Sequence, residues 1–177
     1  EVKGLIAQVA GSADAIPLGV MVEVPAAAMG LRDLLEEVDF VSVGTNDLAQ
    51  YLFAVDRDNP WVSDLYQPYH PAHLRVLRFL GNTCRRANIP LSVCGEMAGQ
   101  RAGALFLVGA GFDQLSMAPP FVAEMKAMLR EVNMGELRDL ASRATGCSTN
   151  VEALQLLENA ANRAREAALV RNPGLSD

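Results

Sequence analysis

The sequence predicts an α/β fold built on a parallel sheet. Two observations carry that expectation: strand-like and helix-like patterns alternate through most of the chain, and the strand-like runs are apolar nearly throughout, as strands covered on both faces are. Four rounds are expected, with strands over 17–23, 39–43, 90–94 and 112–117. Pro25 suits the first turn of a helix over 26–37, and Pro71 that of a helix running to 88, because an amide lost there has no helical partner to lose. Pro119-Pro120 precede a helix over 121–132. Residues 101–108 read as a short helix rich in alanine and leucine, stopped by Gly109-Ala110-Gly111.

One connection breaks this economy. Residues 46–70 separate the second strand from its long helix by more than most loops need, and Tyr51, Phe53, Trp61, Tyr66 and Tyr69 predict an ordered lobe with its own packing. Beyond Asn133 the pattern is helical only, with Thr149-Asn150-Val151-Glu152 as a capping box ahead of Leu154, Leu157, Ala161, Ala164 and Ala168. Residues 1–133 are therefore read as the sheet domain and 134–177 as a C-terminal helical tail. Four βα units are half of a (β/α)8 TIM barrel, which keeps catalytic residues at strand carboxyl ends. A doubly wound open sheet competes and uses the same ends, but its Gly-x-Gly-x-x-Gly dinucleotide fingerprint is missing.

Composition narrows the function. The 177 residues, half of them hydrophobic, suffice for one substantial core. Fifteen basic against 21 acidic residues give a net charge of −6, which argues against a polyanion-binding surface, so no nucleic acid is expected and any anion must be held locally. No apolar run reaches the ~20 residues of a membrane span, and the N-terminus lacks the layout of a secretion signal, so no membrane association and a cytoplasmic location are expected. Cys84, Cys94 and Cys147 are odd in number and widely spaced, which disfavours a disulfide framework or a zinc site. The chain opens on Glu1 and a helical-looking 2–9, and reads as a piece of something longer.

Glu23 closes the run Gly19-Val20-Met21-Val22-Glu23, and Asp47 closes Phe40-Val41-Ser42-Val43-Gly44-Thr45-Asn46-Asp47. A carboxylate costs several kcal/mol to desolvate without compensation. Alone, Glu23 reads equally as a surface residue and Asp47 as a helix cap. Together, at the ends of consecutive strands, they suggest a shared magnesium, which favours one or two carboxylates plus water and substrate phosphate. Gly44-Thr45-Asn46-Asp47 can converge amides on an anion. Arg57 reads either as a surface ion pair with Asp56 or Asp58, or as a fork for phosphate or carboxylate. Cys94, beside Gly95, reads either as buried filler or as a general acid tuned by Glu96, because an ordinary thiol is mostly protonated at neutral pH. His70 and His73 read as capping or surface residues, and Met21, Met97, Met117, Met125 and Met128 as core filler.

Gly19-x-Met21-x-Glu23-x-Pro25-Ala26-Ala27, Ser42-Val43-Gly44-Thr45-Asn46-Asp47-Leu48-x-Gln50-Tyr51, Ala54-Val55-Asp56-Arg57-x-Asn59 and Cys94-Gly95-Glu96-Met97-Ala98-Gly99 together resemble the phosphoenolpyruvate (PEP)-binding domain of enzyme I of the bacterial phosphotransferase system. Leu65-Tyr66-Gln67-Pro68, His70-Pro71 and Gly111-Phe112-Asp113-x-Leu115-Ser116-Met117 extend the likeness, which thus runs over about 17–117. The stretch from Ser92 to Gly99 and the long tail lean toward the nitrogen-related paralogue. The resemblance implies a PEP-protein phosphotransferase in which Glu23 and Asp47 hold magnesium, Asn46 and Asp47 contact PEP, Arg57 binds its phosphate and Cys94 protonates the enolate to pyruvate. It also implies that the four units are the C-terminal half of the (β/α)8 TIM barrel, with a histidine phosphocarrier protein as partner and a homodimer as the assembly.

Departures qualify it. The family's phosphohistidine domain, with its threonine-serine-histidine motif, and its first half-barrel have no counterpart in these residues, so turnover by this piece alone is not expected. Gln100 stands where an aspartate is expected after Ala98-Gly99. A half-barrel leaves strand edges and an apolar layer uncovered, which predicts self-association. Pyruvate phosphate dikinase or PEP synthase is a rival, disfavoured by the Ala-Val-Asp-Arg-x-Asn and Tyr-Gln-Pro stretches. A PEP-sensing or dimerisation module without catalysis is the rival of another class.

Overall fold

The computed structural model describes residues 1–12 and 16–171, so the last six residues of the expected tail lie outside the described residues. Its elements run α1 (Val2–Ala10), β1 (Gly19–Val22), α2 (Pro25–Met29), α3 (Leu31–Leu34), β2 (Phe40–Gly44), α4 (Thr45–Phe53), a 3-10 turn (Ser63–Leu65), α5 (Pro71–Ala87), β3 (Leu91–Cys94), α6 (Glu96–Gly99), α7 (Arg101–Ala110), β4 (Gln114–Leu115), α8 (Pro119–Leu129), α9 (Met134–Gly146) and α10 (Asn150–Arg171). The strands form one parallel sheet in the order β1-β2-β3-β4. A doubly wound sheet reverses its strand order at a switch point. This one does not, and consecutive parallel units side by side are what part of a (β/α)8 barrel contains.

The register assigns the two faces. Val20, Val41 and Leu91 stand in one row, and Val22, Val43, Val93 and Leu115 in another. Val22, Val41, Val43, Leu91 and Val93 are at most 1 % exposed, against the helices. The alternate row, Met21, Ser42, Ser92 and Gln114, points to the other face, where Met21 is 48 % exposed. Strands covered on both sides were expected. Among the described residues only one face is covered, and the serines on the open side are the residues that mark it. Met21 is accordingly not core filler, whereas Met97, Met125 and Met128 are.

The helix layer is tied together by α7, whose Ala102 to Leu107, Gly109 and Ala110 are all buried. Three glycines bring backbones into contact around it: Gly81 of α5 against the Ala110 carbonyl, Gly103 against Met97, and Gly109 against the Leu137 carbonyl of α9. Gly109 thus serves packing. The helix stops at Gly111, whose φ of 105° suits a residue without Cβ. Leu137, Leu140 and Ala144 of α9, with Ala153, Leu157, Ala161 and Ala164 of α10, join the same hydrophobic core as the strands.

Several boundaries differ from the expected ones for local reasons. The helix expected over 26–37 is two short ones with Gly30 between them. Pro119 and Pro120 form the first turn of α8. The expected strand over 112–117 pairs only at Gln114–Leu115. In the 46–70 connection Tyr51 is 56 % and Trp61 92 % exposed, so its aromatics do not build a separate small core. Tyr69 is buried, and Phe53 meets His70 edge-on at 5.4 Å. Asn133 and Glu136 form a capping box for α9 that the sequence reading did not identify, while Thr149 Oγ1 accepts from the Glu152 amide and Glu152 reaches the Ser148 amide.

Candidate functional site

Parallel strands bring every strand carboxyl end to one edge. Val22 pairs with Val43 and Gly44 with Cys94, so Glu23, Gly44 and Cys94 stand in one row across β1, β2 and β3, on the same open face as Met21, Ser42 and Ser92. Gly44 is required there. A Cβ at this position would sit 3.0 Å from Glu23 Cβ and 3.1 Å from Glu23 Oε2, so the glycine lets the carboxylate lie over the end of β2.

From Gly44 the chain enters α4 with no turn between strand and helix. No side chain caps this helix, so its first amides are available to an anion and Asp47 sits in the first turn, where the dipole favours a negative group. The expected anion-binding junction is thus a helix N-terminus. Thr45 Oγ1 donates to the Cys94 carbonyl at 3.3 Å, and Cys94 Sγ donates to the Val43 carbonyl at 3.6 Å, which locks the ends of β2 and β3 together. Gly95, with φ 129°, passes so close to Thr45 Oγ1 that any Cβ would collide with it. Asn46 Oδ1 accepts from the Glu96 amide at 3.4 Å.

Arg57 reaches back to this edge from the loop after α4. Its guanidinium lies 3.9 Å from Asp47 Oδ1 and pairs with neither Asp56 nor Asp58, and its own amide donates to Gln50 Oε1 at 3.3 Å. Arg57 Nη1 is buried without a hydrogen-bond partner while the same guanidinium lies against the Tyr66 hydroxyl, so the fork keeps a donor to spare for an anion. Tyr66 closes the loop. Its hydroxyl donates to the Asn46 carbonyl at 3.4 Å, and burial holds its pKa up while the neighbouring Arg57 pulls the other way. Tyr66 was legible only as part of a longer motif, because a tyrosine nineteen residues past Asp47 gives no local sign that it folds back onto Asn46.

Glu23, Asn46, Asp47, Arg57 and Cys94 therefore share one edge of the sheet. The two carboxylates are hard oxygen donors, and among the described residues no group of three or more His, Cys, Asp or Glu is placed to hold a metal ion by itself. Such donors suit magnesium, which keeps water and substrate oxygens in its shell.

The histidines lie elsewhere. His70 caps α5, its Nδ1 accepting from the Ala72 amide at 3.2 Å. His73 is fully buried, contrary to the surface or capping role expected, because its position faces inward with Leu74, Leu77 and Leu80. Burial pulls its pKa down to about 4, and a 2.7 Å bond joins Nδ1 to the Pro68 carbonyl. Cys84 is core, its pKa raised to about 11 by burial. Gln100, the departure noted above, accepts from the Tyr69 hydroxyl.

Residues 1–134 match the family described as PEP-utilising enzyme, PEP-binding domain. The chain belongs to that family. Among curated relatives, multiphosphoryl transfer protein 1 of Escherichia coli is 41% identical over 145 residues, 82% of this chain and 17% of the relative. PEP-protein phosphotransferases of Staphylococcus carnosus and Lactococcus lactis are each 40% identical, over 82% and 87% of this chain and 26% and 27% of their own lengths. The PEP-binding domain described here thus spans about a quarter or less of the relatives it matches. No helix among its described residues is long and apolar enough to cross a membrane.

Proposed function

We propose that the chain is the PEP-binding part of a PEP-protein phosphotransferase, enzyme I of the phosphotransferase system, and that the edge formed by Glu23, Asn46, Asp47, Arg57 and Cys94 is its PEP site. The observation that carries this reading is the orphaned, buried Arg57 Nη1 beside Asp47, at a helix end that no side chain caps. A guanidinium fork and free helix amides are a phosphate cradle. Glu23 and Asp47 would hold magnesium, which when bound neutralises charge on the phosphate and leaving oxygen. The relatives' names, with two distinct phosphotransferases among them, support the reaction class.

The chain's own residues divide the work. Arg57 and the α4 amides orient the phosphate, and Asn46 and Asp47 fix the rest of PEP. Phosphoryl transfer needs position and charge neutralisation more than covalent help. The acceptor is an imidazole nitrogen of a phosphohistidine domain, and a histidine phosphocarrier protein takes the group onward. Loss of the phosphoryl group leaves the enolate of pyruvate. Cys94 then gives its thiol proton to C3, so that a C–H bond forms as the S–H bond breaks, and the thiolate recovers a proton from water. These 177 residues bind PEP without turning it over. The stretch from Ser92 to Gly99 and the two helices after Asn133 support the nitrogen-related branch, and the open sheet face, with Met21 and Phe40 exposed, supports a homodimer.

Calorimetric titration of PEP, with and without magnesium, tests the site on the wild type, Arg57→Gln and Asp47→Ala. Binding that needs magnesium, weakens by about 10–100-fold in Arg57→Gln, as loss of a charged hydrogen bond does, and disappears in Asp47→Ala is expected. Identical heats in every arm would reject the site.

A further inference from the structure

A second cluster of cations lies on the outside of the helix layer. Arg75, Arg78 and Arg86 of α5 and Arg32 of α3 line one cleft of about 310 Å3 with Phe79 and Thr83. An adjoining depression of about 440 Å3 shares Arg32, Thr83 and Arg86 and brings Glu36 to its rim. Arg75, Arg78, Asn82 and Arg86 recur at helical spacing, so they form a single stripe about 16 Å long. The stripe faces away from the inward Leu74, Leu77 and Leu80.

None of the four arginines forms an ion pair with a carboxylate among the described residues. Two have a structural task. Arg75 Nε donates to the Thr145 carbonyl at 2.9 Å and Arg78 Nη1 to Thr145 Oγ1 at 3.2 Å, which ties α5 to the carboxyl end of α9. The side chains of Arg32 and Arg86 have no hydrogen bond or ion pair with any described residue. In a chain of net charge −6, four guanidinium groups held in one cleft without an acid repel one another, and a multivalent anion removes that repulsion.

We propose that this cleft binds a polyphosphate-bearing small molecule. Guanidinium forks match phosphate oxygens two bonds at a time, and several of them spread along a helix suit more than one phosphate group. The volume is that of a small-molecule site. Phe79, 39 % exposed inside the cleft, offers a ring face on which a planar group can stack. A macromolecular polyanion does not suit it, because the basic surface ends at Glu36 and the chain as a whole is acidic. None of the lining residues belongs to the edge assigned to PEP, so the two sites are separable.

Calorimetry at low salt with tripolyphosphate and with ADP, both free of magnesium, tests the proposal on the 177-residue chain. Both probes should bind the wild type and Arg57→Gln equally. The double variant Arg32→Gln/Arg86→Gln, at positions without partners in the fold, should weaken both by at least about tenfold. Arg32→Gln alone, on the surface of α3, should weaken both by about threefold or more, and it serves if the double variant melts early. Phe79→Ala should weaken ADP by about threefold or more and leave tripolyphosphate unchanged. Absence of binding, equal affinity in the Arg32 and Arg86 variants, or loss of binding in Arg57→Gln would overturn it.

Discussion

Arg57 and His73 show what burial does to a cation and to a neutral base. The loop around Arg57 leaves one guanidinium nitrogen buried and unpaired beside Asp47. Its pairing could not be read from the sequence, where Asp56 and Asp58 flank it and Asp47 is ten residues away. His73 instead stays neutral. Its folded pKa of about 4 lies below the ordinary 6.5, so the unfolded chain binds the proton more readily. Stability from this residue is complete above about pH 6.5 and is lost as the pH falls toward 4, by about 3 kcal/mol at ~1.4 kcal/mol per unit. Urea midpoints from pH 7 to pH 4 should show a steeper fall for the wild type than for His73→Gln. Parallel curves would remove His73 from the account.

Helix starts were legible in the sequence wherever one residue decides them: Pro25 opens α2 and Pro71 opens α5. Helix continuity was less so. Gly30 divides the first crossover helix, whereas Gly109 sits inside α7, because what a glycine does depends on which backbone approaches it. A pair of substitutions separates these effects. Gly4→Ala in α1, with open space around it, should raise stability by about 0.5–1 kcal/mol through helix propensity. Gly109→Ala has the same intrinsic gain but drives a methyl into the Leu137 carbonyl of α9, and should lower stability by about 1–3 kcal/mol. Thermal melts of the two variants check both signs. Equal shifts would mean that α7 and α9 do not pack as closely as described.

Among the described residues the four-strand sheet has one face covered by helices and the other open, with the Met21 and Phe40 side chains exposed and β1 and β4 at its unpaired edges. The alternation of apolar strands and helices made the sheet legible. The uncovered layer followed from the half-barrel reading and not from the strands themselves, since Val-rich runs look alike whether one side or both are covered, and only Ser42 and Ser92 distinguish them. Such a surface favours association. Sedimentation velocity over a range of concentrations should show self-association of the chain, and a monomer of ordinary stability at every concentration would contradict it. The same open face carries Glu23 and Cys94, so the proposed chemistry and the proposed contacts share one side of the sheet. The most direct test is a crystal structure grown with PEP and manganese in place of magnesium, with the ion located by its anomalous scattering. One ion is expected about 2.1 Å from carboxylate oxygens of both Glu23 and Asp47, with Arg57 on the phosphate. An ion that touches neither carboxylate, or PEP bound away from Arg57, would contradict it.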